Sequence, residues 1–222
     1  MFAHGSRSRL TEKDFGRFSG ATLFDRLART VCRAGVLPRK ELYEAWEVAR
    51  RTRRLFRGGR VVDLAAGHGL LAHVMVLLDD STPLAVAADA AVPPSAARLH
   101  QVLGDEWPRL RDRVSPITAA VADVPLDADD VVVSSHACGA LTDLILDGAA
   151  SVRARVAVLP CCHDVTNCDA GPLTGWLDVP LAIDVRRAAR LEQRGYRVWT
   201  QRIPAAITPK NRLLLGAPTE RS

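Results

Sequence analysis

One short stretch of the chain combines an acidic residue with two closely spaced glycines. Asp63 lies near the end of an apolar run, and Gly67 and Gly69 follow this run at the start of a segment of helical length. Glycines at such a turn let a ligand approach the backbone, and the helix that follows offers free backbone N–H groups. A carboxylate at this place repels a pyrophosphate and attracts an ammonium or sulfonium group. The stretch therefore favours S-adenosylmethionine over a dinucleotide, although Gly67-x-Gly69-x-x-Ala72 also fits a relaxed dinucleotide fingerprint.

Two further carboxylates follow the next two predicted strands. Asp89 lies twenty residues after Gly69, at the place where an acidic residue accepts the ribose hydroxyls of an adenosine. Asp123 follows the third predicted strand, where we expect the adenine amino group. The alternative is that both acids are solvated loop residues, because acidic residues are common in such loops. The predicted donor-binding residues are Asp63, Ala65, Gly67, Gly69, Asp89, Asp123 and Ser135.

Histidines and cysteines form a second group, which lies in two separate segments. His136 and Cys138 follow the fourth predicted strand, and Cys161, Cys162 and His163 follow the fifth. Parallel strands present their carboxyl ends at one edge of a sheet, and ligands bind at that edge. We therefore expect these five residues to converge beside the methyl donor.

Three interpretations of the histidine and cysteine group stay open. As acid–base groups, His136 or His163 would take a proton from the methyl acceptor, since imidazole titrates near neutral pH. As metal ligands, two thiols and an imidazole suit zinc, but adjacent Cys161 and Cys162 cannot easily both bind one ion. As core residues, the cysteines pack as small apolar side chains. The predicted catalytic residues are His136, Cys161, Cys162 and His163, and no metal ligand is assigned.

The elements that would position these residues alternate along the chain. Short runs rich in Val, Leu and Ala predict buried strands at 60–65, 84–88, 114–122, 131–134 and 154–159. Segments of helical length lie between them, at 70–78, 95–102 and 141–150. Two later runs, 197–203 and 211–215, have no helix between them and should pair antiparallel at one edge. The predicted fold is therefore α/β, a Rossmann-like doubly wound, mostly parallel sheet with an antiparallel edge strand.

The first 58 residues differ in composition from the rest. Apolar residues recur at helical spacing on both sides of a break at 35–38, which predicts two or three helices that end at Gly58 and Gly59. Residues 1–60 hold fifteen Lys or Arg against six Asp or Glu, a formal charge of +9, whereas the remainder holds fifteen against nineteen. The six arginines between 50 and 60 either contact RNA phosphates or are solvated at a helix end. We expect a basic helical extension at 1–58 and a Rossmann-like domain at 59–222.

Composition excludes several classes of protein. The chain has 222 residues, of which 48% are hydrophobic and 25% charged, so it is predicted to form one folded unit of catalytic size and not a disordered or fibrous chain. Its apolar runs are too short to cross a membrane, and its N-terminus has no secretory pattern. Five unevenly spaced cysteines favour a reducing compartment, so we expect a cytoplasmic protein. No oligomeric state follows from the sequence.

These motifs resemble those of a known enzyme family. Asp63-x-x-x-Gly67-x-Gly69 and Asp89 are similar to the first two motifs of class I S-adenosylmethionine-dependent methyltransferases. Three further segments, 135–143, 160–163 and 207–213, resemble the branch called methyltransferase domain 25, which is related to enzymes that methylate a tRNA acceptor-stem ribose. The resemblance implies S-adenosylmethionine as cofactor and a methyl acceptor still to be identified, with RNA as one candidate.

Two other functions fit part of the sequence. A nicotinamide-dependent oxidoreductase could use the same glycine turn, but Asp63 and the lack of a convincing Tyr-x-x-x-Lys pair argue against it. A non-catalytic protein that binds a cofactor or a metal would keep the fold and use the histidines and cysteines for structure. Binding of S-adenosylmethionine, S-adenosylhomocysteine or NAD separates these functions.

Overall fold

The computed structural model describes residues 3–164 and 166–220, which form one seven-stranded sheet. The strands are β1 (Val61–Leu64), β2 (Ala85–Asp89), β3 (Val114–Thr118), β4 (Val131–Ser134), β5 (Arg155–Val158), β6 (Tyr196–Arg202) and β7 (Arg212–Pro218). They lie in the order β3-β2-β1-β4-β5-β7-β6. Strands β1 to β5 are parallel, and β7 is antiparallel to both of its neighbours. The predicted mostly parallel sheet with antiparallel pairing at one edge is confirmed.

Helices cover both faces of this sheet. They are α1 (Leu23–Ala34), α2 (Arg39–Leu55), α3 (Leu70–Leu77), α4 (Ala96–Glu106), α5 (Arg109–Arg113), α6 (Ala140–Ser151) and α7 (Val179–Gln193). Val61 packs with α1 to α4 and its neighbour Val62 with α6 and α7, because successive side chains of a strand point to opposite faces. Within the described residues, each helix is too short or too polar to span a membrane.

The N-terminal helices share a core with the sheet. Helix α2 packs against α3, and α1 packs against α4, so that Leu27 and Leu42 are fully buried in the core that also contains Val61. Local signals set the ends of α1: the Thr22 hydroxyl accepts the Asp25 N–H at 3.1 Å, and Gly35 ends the helix in the left-handed region. The boundary between residues 58 and 59 stays a prediction.

Glycine is required where the chain enters the sheet. Helix α2 ends at Leu55, three residues before Gly58. Gly59 has φ of 75°, and a Cβ there would collide with the carbonyl oxygen of Asp129 and the guanidinium of Arg155. No other residue type fits this turn without displacing the loop before β4.

Three elements differ from the sequence-based expectation. The third strand ends at Thr118 and not at residue 122, because its partner strand β2 ends at Asp89 and leaves residues 119–122 without a ladder to join. A short 3-10 helix, Val121–Asp123, takes their place. Helices α5 and α7 were not predicted. In α7, arginines at 186, 187 and 190 interrupt the apolar stripe that would have indicated a helix.

Candidate active site

The carboxyl ends of β1 and β2 lie side by side, and each strand carries an acidic residue near this end that holds the glycine turn. Asp63 is 1% exposed, and its Oδ2 accepts the N–H of Ala72 in α3 at 3.1 Å. Asp89 accepts the N–H of Gly67 at 2.8 Å through Oδ2 and that of Ala91 at 2.9 Å through Oδ1. The two carboxylates therefore fix the turn on both sides.

Three residues of this turn adopt left-handed backbone conformations. The φ angles are 54° at Ala65, 55° at Gly67 and 75° at Gly69. A Cβ at Gly69 would lie 3.0 Å from the Cβ of Ala87, so this glycine lets α3 approach β2. A Cβ at Gly67 would meet no protein atom within 4 Å. The turn thus faces open space at Gly67, which is the cradle that a ligand's polar group needs.

The carboxyl of Asp63 has a raised pKa. Burial raises the pKa of Asp63 to about 8; the charge of Asp89 acts in the same direction, and the hydrogen bond from Ala72 opposes it. A buried carboxyl with a raised pKa becomes ionised when a cation is placed against it. Asp63 is therefore suited to a positively charged ligand group.

Helix α2 covers one side of the glycine turn. A small cavity of about 10 Å³ lies between them. Glu41 and Ala45 of α2 line it on one side, and His68, Ser135 and His136 line it on the other. Ser135 is 4% exposed and directly follows β4. Residues from the predicted N-terminal extension therefore belong to the wall of the candidate site.

Two titratable side chains meet at this cavity. Burial lowers the pKa of His136 to about 4, with Lys40 acting in the same direction and Asp89 opposing it. Burial raises the pKa of Glu41 to about 7, where Glu44 assists and Lys40 opposes. At neutral pH, His136 is therefore an uncharged imidazole that can accept a proton.

The loops after β4 and β5 bring three cysteines together. The Sγ atoms of Cys138 and Cys161 are 2.8 Å apart, and both lie within 4.8 Å of the Sγ of Cys162. The hydrogen bond from the Cys138 thiol lowers the pKa of Cys162, whereas burial raises the pKa of Cys161. The predicted convergence holds for these thiols, and His136 lies on the same loop but faces the glycine turn.

His163 lies elsewhere. Its side chain is 2% exposed, and its Nε2 is 2.8 Å from Oδ1 of Asp184 in α7. The other oxygen of Asp184 accepts the Nε–H of Arg212 at 2.6 Å. His163 thus joins the loop after β5 to α7 and β7, and it is not brought to the thiol cluster.

Arg187 is the residue of this region that sequence reasoning missed. Its side chain is 1% exposed; it donates to the Gly139 carbonyl at 2.9 Å and to Asp143 Oδ2 at 2.7 Å, and it also pairs with Asp184. Asp143 accepts from Arg190 as well. These bonds fasten the loop after β4 to α7. A charged residue among the apolar residues of one helix face would have indicated a buried, paired arginine. This signal could not be used, because the sequence analysis did not predict α7.

Asp123 is the remaining predicted donor-binding residue. Asp123 is exposed in the 3-10 helix after β3, and its backbone N–H donates to Ala120. Cys32 and Cys168, which the sequence analysis did not assign to the site, are buried and do not belong to the thiol cluster.

Most arginines of the basic run bind partners within the chain. Arg50 and Arg51 both pair with Glu47 of their own helix. Arg53 is 2% exposed and contacts Asp79 at 3.3 Å and the Met75 carbonyl at 3.1 Å. Arg60 pairs with Asp130 at 2.7 Å. Arg54 and Arg57 are the exposed members of the run.

Comparison with protein families decides the class of this chain. Residues 41–168 match a family model described as a methyltransferase domain. The chain belongs to this methyltransferase family. The matched segment of the methyltransferase begins inside α2, so the helix that covers the glycine turn is part of it. A search of the curated proteins found no match.

Solved structures share the fold of this methyltransferase. The S-adenosylmethionine-dependent methyltransferase SibL in its apo form is 18% identical, with a TM-score of 0.55, and the match covers 97% of this chain and 67% of SibL. An O-methyltransferase family protein from Burkholderia thailandensis is 16% identical, with a TM-score of 0.54 over 96% of this chain and 64% of its own length. A candidate RNA methyltransferase from Pyrococcus horikoshii is 17% identical, with a TM-score of 0.50 over 79% of this chain and 83% of that one.

Proposed function

We propose that this chain is an S-adenosylmethionine-dependent methyltransferase whose donor binds at the glycine turn. The observation that carries the proposal is the pair of carboxylates, Asp63 and Asp89, on either side of a turn that faces open space at Gly67. Such a pair attracts a cationic, hydroxyl-bearing ligand and repels a pyrophosphate. A nicotinamide cofactor is therefore the weaker candidate.

Different residues of the turn bind different groups of the donor. Asp63 binds a cationic group of the donor, and Asp89 accepts the ribose hydroxyls. The backbone of Ala65, Gly67 and Gly69 lies against the ligand, because Gly67 has no side chain to keep the ligand away from the turn. Ser135 closes the site at the end of β4, and Asp123 lies on the adenine side. When bound, S-adenosylmethionine supplies a methyl group on a sulfonium, which is already activated for displacement.

The acceptor enters on the side of His136. When an acceptor takes the methyl group, His136 would receive the proton that the acceptor loses. A base with a pKa of about 4 is a weak one, so holding the reacting atoms in line supplies more of the rate than proton transfer does. Cys161 and Cys162 border this side, and His163 acts as a positioning residue through Asp184.

RNA is the acceptor class that the charge of residues 1–60 favours. Five of the six arginines between 50 and 60 pair with acidic residues of the chain, and of these five Arg57, which contacts Asp79 at 3.8 Å, has an exposed side chain. An RNA acceptor would therefore contact Arg54 and Arg57. The similarity to the domain 25 branch and its tRNA relatives remains a prediction.

Calorimetry with S-adenosylmethionine, S-adenosylhomocysteine and NAD tests the proposal. The chain should bind the first two and not NAD. Gly67→Ala should weaken binding at least about tenfold, because the added Cβ occupies the ligand's space. Gly35→Ala is the matched control, since Gly35 is also left-handed, with φ of 66°, but lies at the end of α1. Binding of NAD alone, or equal losses in the two variants, would contradict the proposal.

A further inference from the structure

The thiol cluster, Cys138, Cys161 and Cys162, has the composition of a metal site. Each residue offers one sulfur, and the three sulfurs lie within 4.8 Å of one another although the sequence separates two of them from the third by 23 residues or more. In the sequence analysis, the adjacency of Cys161 and Cys162 argued against both residues binding one ion. In the structure both of their sulfurs reach Cys138, so that objection does not apply.

The backbone around these thiols is held in place by bonds that do not involve sulfur. Cys138 and Cys162 form a parallel bridge, and the Gly139 N–H donates to the Cys162 carbonyl at 3.2 Å. On the first loop, the Thr142 hydroxyl donates to the Ala137 carbonyl at 2.9 Å. Arg187 fastens the first loop and His163 the second, both through α7. The two loops are therefore fixed relative to each other before any ion binds, which lowers the entropic cost of binding.

We propose that Cys138, Cys161 and Cys162 bind one Zn²⁺ ion as a three-thiolate site. Tetrahedral Zn²⁺ with Zn–S bonds of about 2.3 Å places its sulfurs about 3.8 Å apart, which lies within the span of this cluster. The two sulfurs of Cys138 and Cys161, now 2.8 Å apart, must separate by about 1 Å, and the exposed position of Cys138 leaves solvent space for this movement. Soft thiolate ligands select zinc over magnesium or calcium. Lys40 and Lys210 lie near Cys162 and offset the net negative charge of three thiolates on one divalent ion.

The site keeps one coordination position open. Within the described part of the chain, the cluster includes no fourth histidine, cysteine or carboxylate. Cys138 and Cys162 are exposed, so a water molecule or another small ligand can reach the ion from solvent. Three protein ligands with an open position are the pattern of catalytic zinc sites and not of closed structural ones.

Metal titration of the reduced, metal-stripped full chain tests the proposal. Zn²⁺ should bind at one ion per chain by elemental analysis, and Co²⁺ should give the visible bands of a tetrahedral sulfur site. Cys138→Ser, Cys161→Ser and Cys162→Ser should each weaken Zn²⁺ binding at least about a hundredfold. Cys168→Ser and Cys32→Ser are the controls and should bind as the parent does. Circular dichroism of the exposed-site variant Cys138→Ser separates loss of metal from loss of folding.

Two results would overturn the site. One is a parent chain that binds no more Zn²⁺ than the variant with all three cysteines replaced by serine. The other is recovery of a Cys138–Cys161 disulfide from the air-exposed chain together with absent Co²⁺ bands after full reduction, which would make the close sulfurs a redox pair. Neither result depends on donor binding. The metal titrations can therefore contradict the zinc site without contradicting the proposed methyltransferase function, and the reverse also holds.

Discussion

Asp89 Oδ2 accepts a hydrogen bond from the backbone N–H of Gly67 at 2.8 Å, across 22 residues of sequence. The same carboxylate therefore holds the glycine turn in shape and faces the side on which a donor would lie. Its two tasks can be separated by mutation.

Asp89→Ala should weaken S-adenosylmethionine binding by roughly 1 to 3 kcal/mol, or about ten- to a hundredfold, measured by calorimetry. The variant removes both the acceptor for the ribose hydroxyls and the partner of Gly67. Asp89→Asn keeps one oxygen for Gly67 and is the control for the shape of the turn. Parent-like affinity in Asp89→Ala would mean that the donor lies elsewhere.

Donor binding should release a proton through Asp63. Because burial holds the pKa of Asp63 at about 8, this carboxyl is mostly protonated at pH 7 and must ionise to pair with a cation. Affinity should therefore rise about fivefold between pH 7 and pH 8. Calorimetry in buffers of different ionisation enthalpy counts the proton. The Asp63→Asn variant should not release this proton. The donor's own amine titrates with the parent and with the variant alike, so the difference between them in the number of protons released is due to Asp63.

His136 and His163 should respond differently to substitution. His136→Ala should lower kcat by up to about 10²-fold, because a base of low pKa contributes at the lower end of the general-base range, while donor affinity changes only a few fold. His163→Ala should instead cost about 1 to 3 kcal/mol of unfolding free energy, because it removes a hydrogen bond to charged Asp184. Turnover on the true acceptor and denaturant unfolding of both variants give the comparison. Full turnover in His136→Ala would exclude it from the reaction.

Glu41 should make the folded chain less stable as pH rises. Its pKa is raised from 4.5 to about 7, so between these values the folded state binds more protons than the unfolded state does. Stability that is present below pH 4.5 is therefore lost as pH rises through 7. Relative to the parent, Glu41→Gln should gain about 1 to 3 kcal/mol between pH 4.5 and pH 8 in denaturant titrations. Glu12→Gln, on an exposed 3-10 turn, should show no such gain.

RNA binding should depend on the exposed arginines of the basic run. If RNA is the acceptor, log affinity should fall linearly with log salt, and replacing Arg54 and Arg57 by Gln should reduce the slope by about two. Arg53 is unsuitable for this test because it is buried against Asp79. The matched control is Arg50→Gln, whose partner is Glu47. Absence of RNA binding at low salt would exclude RNA as the acceptor.

Local sequence was enough to predict the glycine turn and most of the sheet. Strands such as β1 and β4 are short apolar runs bounded by turn residues, and their pattern depends only on neighbouring positions. The shortened β3 could not be predicted, because its end is set by the length of β2. The Rossmann-like order followed from the alternation of strands and helices, since parallel strands need crossover connections.

Tertiary structure decided what each chemical group does. The sequence placed His163 beside the cysteines, but Asp184, 21 residues away on a helix that the sequence did not indicate, holds its side chain by a hydrogen bond. The sequence also indicated that adjacent Cys161 and Cys162 are unsuited to binding one ion. In the structure, the loops after β4 and β5 lie side by side and place both residues near Cys138. Spacing along a chain specifies which residues share an element. Burial and pairing depend on contacts between distant segments, and these arise only when the sheet has assembled.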